Sequence, residues 1–487
     1  MDATFTSLPA AGLGSATTLP QPTLDPATTL PIELCREIFG LATNQERDLD
    51  SDLTPGSPDG NLNLPEFDIT SLLIASVSRT WRAMALAFPE LWTTMAIYAP
   101  TTKAVKTTRL YMSRSGDTAP FTLRLIQTPK EVFEKPDDLL ESRRKAMNEF
   151  DATHAVMELW FTRVHRWEGI CFQFSMGPPD IFLDALEEQL GNLREVSFTS
   201  THPSHNRKKI RKFWTKLHAS KSLRTAYWGS PVRTPLMMSA PFEQLTGFTC
   251  SLMFVPELFG ILSRCHQLQR LTIQKLIGDF GGESPPVPVV LPNLQVLDIE
   301  SPGTISLLVL FKVITTPALE ELNMSTIPSM TSKTCLRNFL ARSGCALRQL
   351  HLNGIWGGYD LENLRHAEWH EGQGYLDKLE RLRFGGPLDW DILKPRRDPQ
   401  TLNIRIPFPA LLTLETAPPS KDGVIAKILM SRDWEGAGLW TYSFNSPEKT
   451  LGYRTGARKY RYPIDEEVFK VLGERSGLQV VRTNLRK

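Results

Sequence analysis

The sequence predicts an α/β protein in two parts: a small helical module near the N-terminus, then a long array of short parallel strands alternating with helices and loops. Three observations predict this. Residues 30–92 hold three short apolar phrases at helical spacing, separated by breakers. From Trp167 onward a short apolar phrase restarts every 22 to 32 residues. At 487 residues the chain also exceeds the ~250–300 residues at which a single core stops growing, so several domains or an elongated array is expected.

Composition narrows the function classes. Formal net charge is +2, from 55 Lys+Arg against 53 Asp+Glu, so no global excess of charge points to nucleic acid or an anionic membrane. The six cysteines (Cys35, Cys171, Cys250, Cys265, Cys335, Cys345) never form a C-x-x-C pair and are too sparse for a disulfide scaffold. A reducing compartment, cytoplasmic and/or nuclear, is expected. No apolar run approaches the ~18–20 residues that span a bilayer. The first Lys or Arg is Arg36, so the charged start of a signal or transit peptide is missing.

Residues 1–27, rich in Ala, Thr, Ser, Pro and Gly without period, are expected to be a disordered leader. Pro31 suits a first helical turn, and Glu33 complements the helix dipole there. Leu34, Ile38 and Leu41 then share one face at i, i+4, i+7. Thr43 to Glu66 reads as a polar loop, with Pro55-Gly56 and Pro58-Asp59-Gly60 as breakers. Asp68 is placed to cap a second helix carrying the stripe Ile69, Leu72, Leu73, Ser76 and Val77. Trp81, Ala85 and Phe88 form a third apolar face that ends at Pro89.

The ordered set Leu30-Pro31, Glu33-Leu34, Ile38-Phe39, Val77, Trp81-Arg82 and Leu91-Trp92 resembles the F-box. The polar loop at about 43–66 departs from that pattern, since ordinary F-boxes join their first two helices with far fewer residues. Loop closure entropy rises only slowly with length, so the insertion costs little. The resemblance implies an interface with a small Skp-family adaptor and, through it, a cullin. It places Leu30, Pro31, Leu34, Ile38, Phe39, Val77, Trp81, Leu91 and Trp92 at that interface or in its support.

Past the box, Leu110 to Asp117 and Ala119 to Leu125 look like the segment that follows it in many fungal F-box proteins, where a helix ends in Arg-Ser-Gly and a strand begins after Pro. Gly116 suits a helix C-cap. Lys130 to Trp167 is expected to hold a charged connector and a long helix, with Met147, Phe150, His154, Met157, Trp160 and Phe161 at helical spacing.

The clearest copies of the apolar phrase begin at Leu268, Leu294, Leu319, Leu347 and Leu379, each reading Leu-x-x-Leu-x-apolar. Weaker copies begin at Trp167, Leu193, Leu223, Leu245, Leu411 and Leu439. The pattern resembles a leucine-rich repeat, which implies an irregular solenoid with parallel strands on the concave face and helices or loops on the convex face. The family's Asn or Cys at the ninth repeat position is replaced by Leu276, Pro302, Ile327, Ile355 and Pro387. The expected domains are 1–27 leader, 28–98 F-box, 99–166 connector and start of the array, 167–445 repeats and 446–487 C-terminal cap.

Strand alternation places the residues that flank the middle leucine on the opposite face. There Arg270, Asp298, Glu321, Asn323, Gln349, His351, Arg381 and Arg383 are candidate target-binding residues, an acidic middle giving way to a basic end. Trp356, Tyr359 and Trp369 are candidate aromatic anchors, with burial inside the array as the alternative.

No chemistry of catalysis is evident. The sequence lacks the phosphate-cradling G-x-x-x-x-G-K, the dinucleotide G-x-G-x-x-G and the nucleophile elbow G-x-S-x-G. His366 and His370 stand at i, i+4 without the H-E-x-x-H order or a third ligand, so no metal and no cofactor is assigned. His202 and His205 lie in a polar turn. The basic run Arg207 to Lys212 reads as a solvated helix face, with a nuclear address or a phosphate contact as the alternatives. Tyr453-Arg454 and Arg458 to Tyr462 interleave cations with aromatics as single-strand nucleic-acid grooves do, but they belong more naturally to a cap beyond the last repeat.

The expectation is therefore a non-catalytic substrate-recognition subunit of an SCF-type cullin ubiquitin ligase, its repeats binding a target protein. The alternative is a leucine-rich-repeat interaction scaffold unrelated to ubiquitin, the helices serving as its cap.

Overall fold

The computed structural model describes residues 29–44, 67, 69–128, 139–175, 178–184, 190–200, 209, 212, 215–217, 220–229, 242–278, 288–302, 304–325, 335–353, 376–384, 393, 396–397, 404–405, 408–416, 423–434, 441–446, 470–471 and 479–484. The chain divides into two compact units, Met1–Pro55 with Ile69–Trp92, and Gly56–Asp68 with Thr93–Lys487.

The first unit is helical: α1 (Ile32–Asn44), α2 (Thr70–Val77), α3 (Arg79–Ala87) and a 3-10 turn, Pro89–Trp92. Ser78, in extended conformation, breaks the chain between α2 and α3. Its hydroxyl caps α3 by accepting from the Trp81 N–H at 3.2 Å. Phe39 of α1 meets Trp81 at a ring separation of 4.9 Å and Phe88 at 6.4 Å. Trp92 is fully buried, and its indole N–H donates to the Ala85 carbonyl at 2.8 Å, which satisfies the polar end of a large apolar side chain.

Two of the expected helical stripes are corrected here. In α1 the buried residues are Cys35, Phe39 and Thr43, at i, i+4, i+8, while Leu34, Ile38 and Leu41 face outward. In α2 the buried residues are Ser71, Ile74 and Ala75, and Ile69, Leu73 and Val77 are exposed. Small side chains let the backbones approach: the Ser71 hydroxyl donates to the Leu91 carbonyl. Ile69 is the residue at the N-cap of α2 and makes no side-chain cap bond; Asp68 lies outside the described residues.

The second unit is built on a sheet. Its first six strands are β1 (Thr94–Tyr98), β2 (Phe121–Ile126), β3 (Trp167–Phe174), β4 (Glu195–Ser200), β5 (Thr225–Gly229) and β6 (Gly247–Cys250). Next come β7 (Met253–Phe254), β8 (Arg270–Ile277), β9 (Val289–Val290), β10 (Val296–Pro302), β11 (Ile314–Thr315), β12 (Glu321–Ser325) and β13 (Gln349–Asn353). The last are β14 (Arg381–Phe384), β15 (Arg396–Arg397), β16 (Ile404–Arg405), β17 (Thr413–Thr416), β18 (Thr441–Ser446) and β19 (Gln479–Asn484). Fifteen of them form one sheet in sequence order, with β9–β11 and β15–β16 as separate pairs. The large sheet's pairs, from β1–β2 to β18–β19, are parallel, and each of the eleven apolar phrases coincides with one of its strands.

Register explains why the phrase recurs. Its middle residues align strand to strand as Ile170, Val196, Ala226, Phe248, Leu271, Leu297, Leu322, Leu350, Leu382 and Leu414. All ten are buried. Each leucine removed from water contributes ~1.5–3 kcal/mol, and only stacking on the next strand removes it. The following row is aromatic at its start. Phe172 stacks on Trp160 at 5.7 Å, and Phe198 stacks on Phe182 at 5.6 Å and on Trp228 at 5.5 Å.

A further position of the unit lies three residues before the first leucine. Leu190, Ser220, Phe242, Cys265, Leu291, Thr316, Leu376 and Phe408 are buried there. Each carbonyl accepts from the N–H of the leucine that opens the next strand, at 3.0 to 3.3 Å. This turn delivers the chain into the sheet edge.

Helices α4 (Thr102–Arg114), α5 (Leu139–Phe161), α6 (Asp180–Leu183), α7 (Val255–Leu262), α8 (Thr304–Val313), α9 (Cys335–Ser343) and α10 (Val424–Trp434) lie between strands. In α5 the buried stripe is Ala152, Thr153, Val156, Met157 and Trp160, whereas Met147, expected to share it, is exposed. Helix α4 ends at Ser115 and Gly116, the glycine at φ 64°, which a side chain rarely adopts. Phe67 bridges antiparallel to Ile97 on the outer strand β1 and meets the Tyr111 ring at 5.0 Å.

Candidate functional sites

The helical unit carries the first candidate. Phe39, Leu91 and Trp92 are buried and Trp81 is half-buried against Phe39, so these four build the unit's core. Leu30, Pro31, Leu34, Ile38 and Val77 are exposed, with Leu34 at 45%, Ile38 at 46% and Val77 at 61%. Leu30, Leu34 and Ile38 recur at i, i+4, i+8 ahead of and along α1, and Ile69, Leu73 and Val77 do so at α2. Single exposed leucines are ordinary; two apolar rows on a unit this small make a candidate interaction surface. Arg36 of α1 is ion-paired with Glu90, which ties α1 to the 3-10 turn.

The second candidate is the outward face of the sheet. Pairing aligns Arg270, Val296, Glu321, Gln349 and Arg381 as one row, and Thr272, Asp298, Asn323, His351, Arg383 and Glu415 as the next. All eight candidate target-binding residues therefore stand in two adjacent rows crossing β8 to β14. Arg381 donates to the Gln349 side-chain oxygen at 3.3 Å, and Arg383 pairs with Glu415 at 3.5 Å. The Asn323 amide donates to Glu321 Oε1 at 2.8 Å. Asn323 Oδ1 and His351 Nε2 are buried and have no hydrogen-bond partner among the described residues.

Burial among neighbouring acids sets the electrostatics. Burial, then Glu300 and Glu321, push the Asp298 carboxyl up to about 6, against the opposing pull of Arg270 and an Asn323 hydrogen bond. Burial also raises Glu300 and lowers His351, the latter against the pull of Glu321 and Glu415.

The outward row continues toward the N-terminus through Ala96, Arg124, Cys171, Ser197, Tyr227 and Thr249. Arg124 and Tyr227 are buried there, and burial pushes the Tyr227 phenol up to about 12. Tyr227 lies in a weaker copy of the phrase and Arg124 on a strand before the first copy, and only the strand register places them on this face.

Trp356, Tyr359, Trp369, His366, His370, His202, His205 and the Tyr453 to Tyr462 cluster lie outside the described residues. Among the described residues no group of three or more His, Cys, Asp or Glu is placed to hold a metal ion. No helix among them is long and apolar enough to cross a membrane. No family model matches the chain, and no curated protein matches it.

Proposed function

We propose that the protein is a substrate-recognition subunit of a cullin-based ubiquitin ligase, the helical unit acting as an F-box that docks a Skp-family adaptor and the polar face of the sheet holding a target protein. The observation that carries this reading is the pair of exposed apolar rows on a helical unit whose own core is already filled by Phe39, Leu91 and Trp92. About half of the surface of those rows is left open to water among the described residues, and covering it would release apolar surface. The chain itself moves no bonds in this reading; it raises the target's concentration beside the transferring enzyme.

The test is affinity purification with the intact chain and with a Leu34→Asp/Ile38→Asp variant. Adaptor and cullin are expected with the first and absent with the second. Recovery of neither with the intact chain overturns the reading in favour of an interaction scaffold without a link to ubiquitin.

A further inference from the structure

The two polar rows leave their charges unevenly paired. Arg383 has Glu415, and among the described residues Arg381 reaches only the neutral Gln349. Asp298, Glu300 and Glu321 form no ion pair with any described cation; Arg270 is the charge that opposes Asp298 most closely, and it makes no contact bridge. Uncompensated negative charge thus sits on β10 and β12, and uncompensated positive charge on β14. On the same row Asn323 Oδ1 of β12 and His351 Nε2 of β13 are closed to water and have no hydrogen-bond partner among the described residues.

We propose that the outward face of β10 to β14 receives an extended segment of a partner protein, with a Lys or Arg seated over Asp298 and Glu321 and an Asp or Glu on Arg381. This names the target class for the sheet surface and rests on the reading of that surface as the target-binding face. Spacing fixes the segment's pattern. From the β10–β12 acids to β14 is two to three strand steps of ~4.8 Å, or about 10–14 Å. Extended chain rises ~3.3 Å per residue, so the two charges stand three or four residues apart. A helix rises only ~1.5 Å per residue and does not span that distance in one turn.

The experiment is selection of a displayed random twelve-residue peptide library on the intact chain, followed by fluorescence anisotropy with a synthetic consensus peptide. The recovered peptides are expected to share a Lys or Arg with an Asp or Glu three or four residues away. A Glu321→Lys/Arg381→Glu variant is expected to lose at least tenfold in affinity for that peptide and to gain affinity for its charge-swapped form, while adaptor capture stays unchanged. No enriched peptide, a consensus without a cation, or equal binding to the variant overturns the proposal. Crosslinking separates the two failures: neutral peptides crosslinked to β10–β14 overturn the charge pairing alone, whereas crosslinks confined to other surfaces overturn the sheet face as the target site too.

Discussion

The guanidinium carbon of Arg166 stands 4.0 Å from the centre of the Phe121 ring. Its nitrogens donate to the carbonyls of Gly116 and Ala119 at 2.7 Å and of Ser115 at 3.1 Å. One buried cation thus satisfies the carbonyls where α4 ends and holds the first residue of β2. A lysine keeps the charge but loses the planar fork. Arg166→Lys is expected to cost about 2–4 kcal/mol, read as a lower urea midpoint with an unchanged slope.

Exposed and buried residues of α1 are expected to separate binding from stability. Leu34→Asp/Ile38→Asp removes adaptor capture yet changes unfolding free energy by less than about 1 kcal/mol, because both side chains already face water. Phe39→Ala opens a cavity beneath Trp81 and Phe88 and costs about 3–5 kcal/mol. Parallel capture and denaturation measurements check the contrast.

Asp298 gives a pH-dependent stability effect whose sign follows from its raised pKa. A carboxyl at about 6 in the folded chain and near 3.8 when unfolded binds more protons when folded, so its ionisation opposes folding. The penalty is full above pH 6 and disappears as pH falls toward 4. Asp298→Asn is therefore expected to stabilise the protein by about 1–2 kcal/mol at pH 7.5, after discounting for partial exposure, and by close to nothing at pH 4. Thermal melts at the two pH values decide it.

Gln127 is wholly buried at the end of β2 and joins two elements. Its amide donates to Thr153 Oγ1 of α5 at 3.0 Å, and its oxygen accepts from the Ser175 N–H at 3.0 Å, just past β3. Gln127→Leu leaves the buried Ser175 N–H unpaired, while Thr153 Oγ1 keeps its bond to the Glu149 carbonyl at 2.8 Å, and is expected to cost about 1–3 kcal/mol. Faster hydrogen exchange at the Ser175 amide is the local signature.

Much of the sheet was legible because alternation of period two is a strong constraint: a one-residue slip moves every leucine to the wrong face. The position three residues before each first leucine was hidden, since Leu190, Ser220, Phe242, Cys265 and Thr316 share no chemistry. A backbone turn bond defines it, and a mixed set of side chains fills it. The buried face of α1 was illegible for the opposite reason. Both Leu34-Ile38 and Cys35-Phe39 fit a helical period, and only packing against Trp81 and Phe88 selects the second pair. Arg124 and Tyr227 escaped notice because polar residues on a strand are read as solvated, whereas both are buried.

The order of the large sheet has a temporal consequence. Apart from the short β7, every strand of it is hydrogen-bonded to its neighbours in sequence within that sheet, so no early strand waits for a late one. A chain emerging from the ribosome can lay down β1, then β2, then β3, each new strand adding to an edge already made. The growing edge is then the vulnerable state, and synthesis itself, by supplying the next strand, is what closes it.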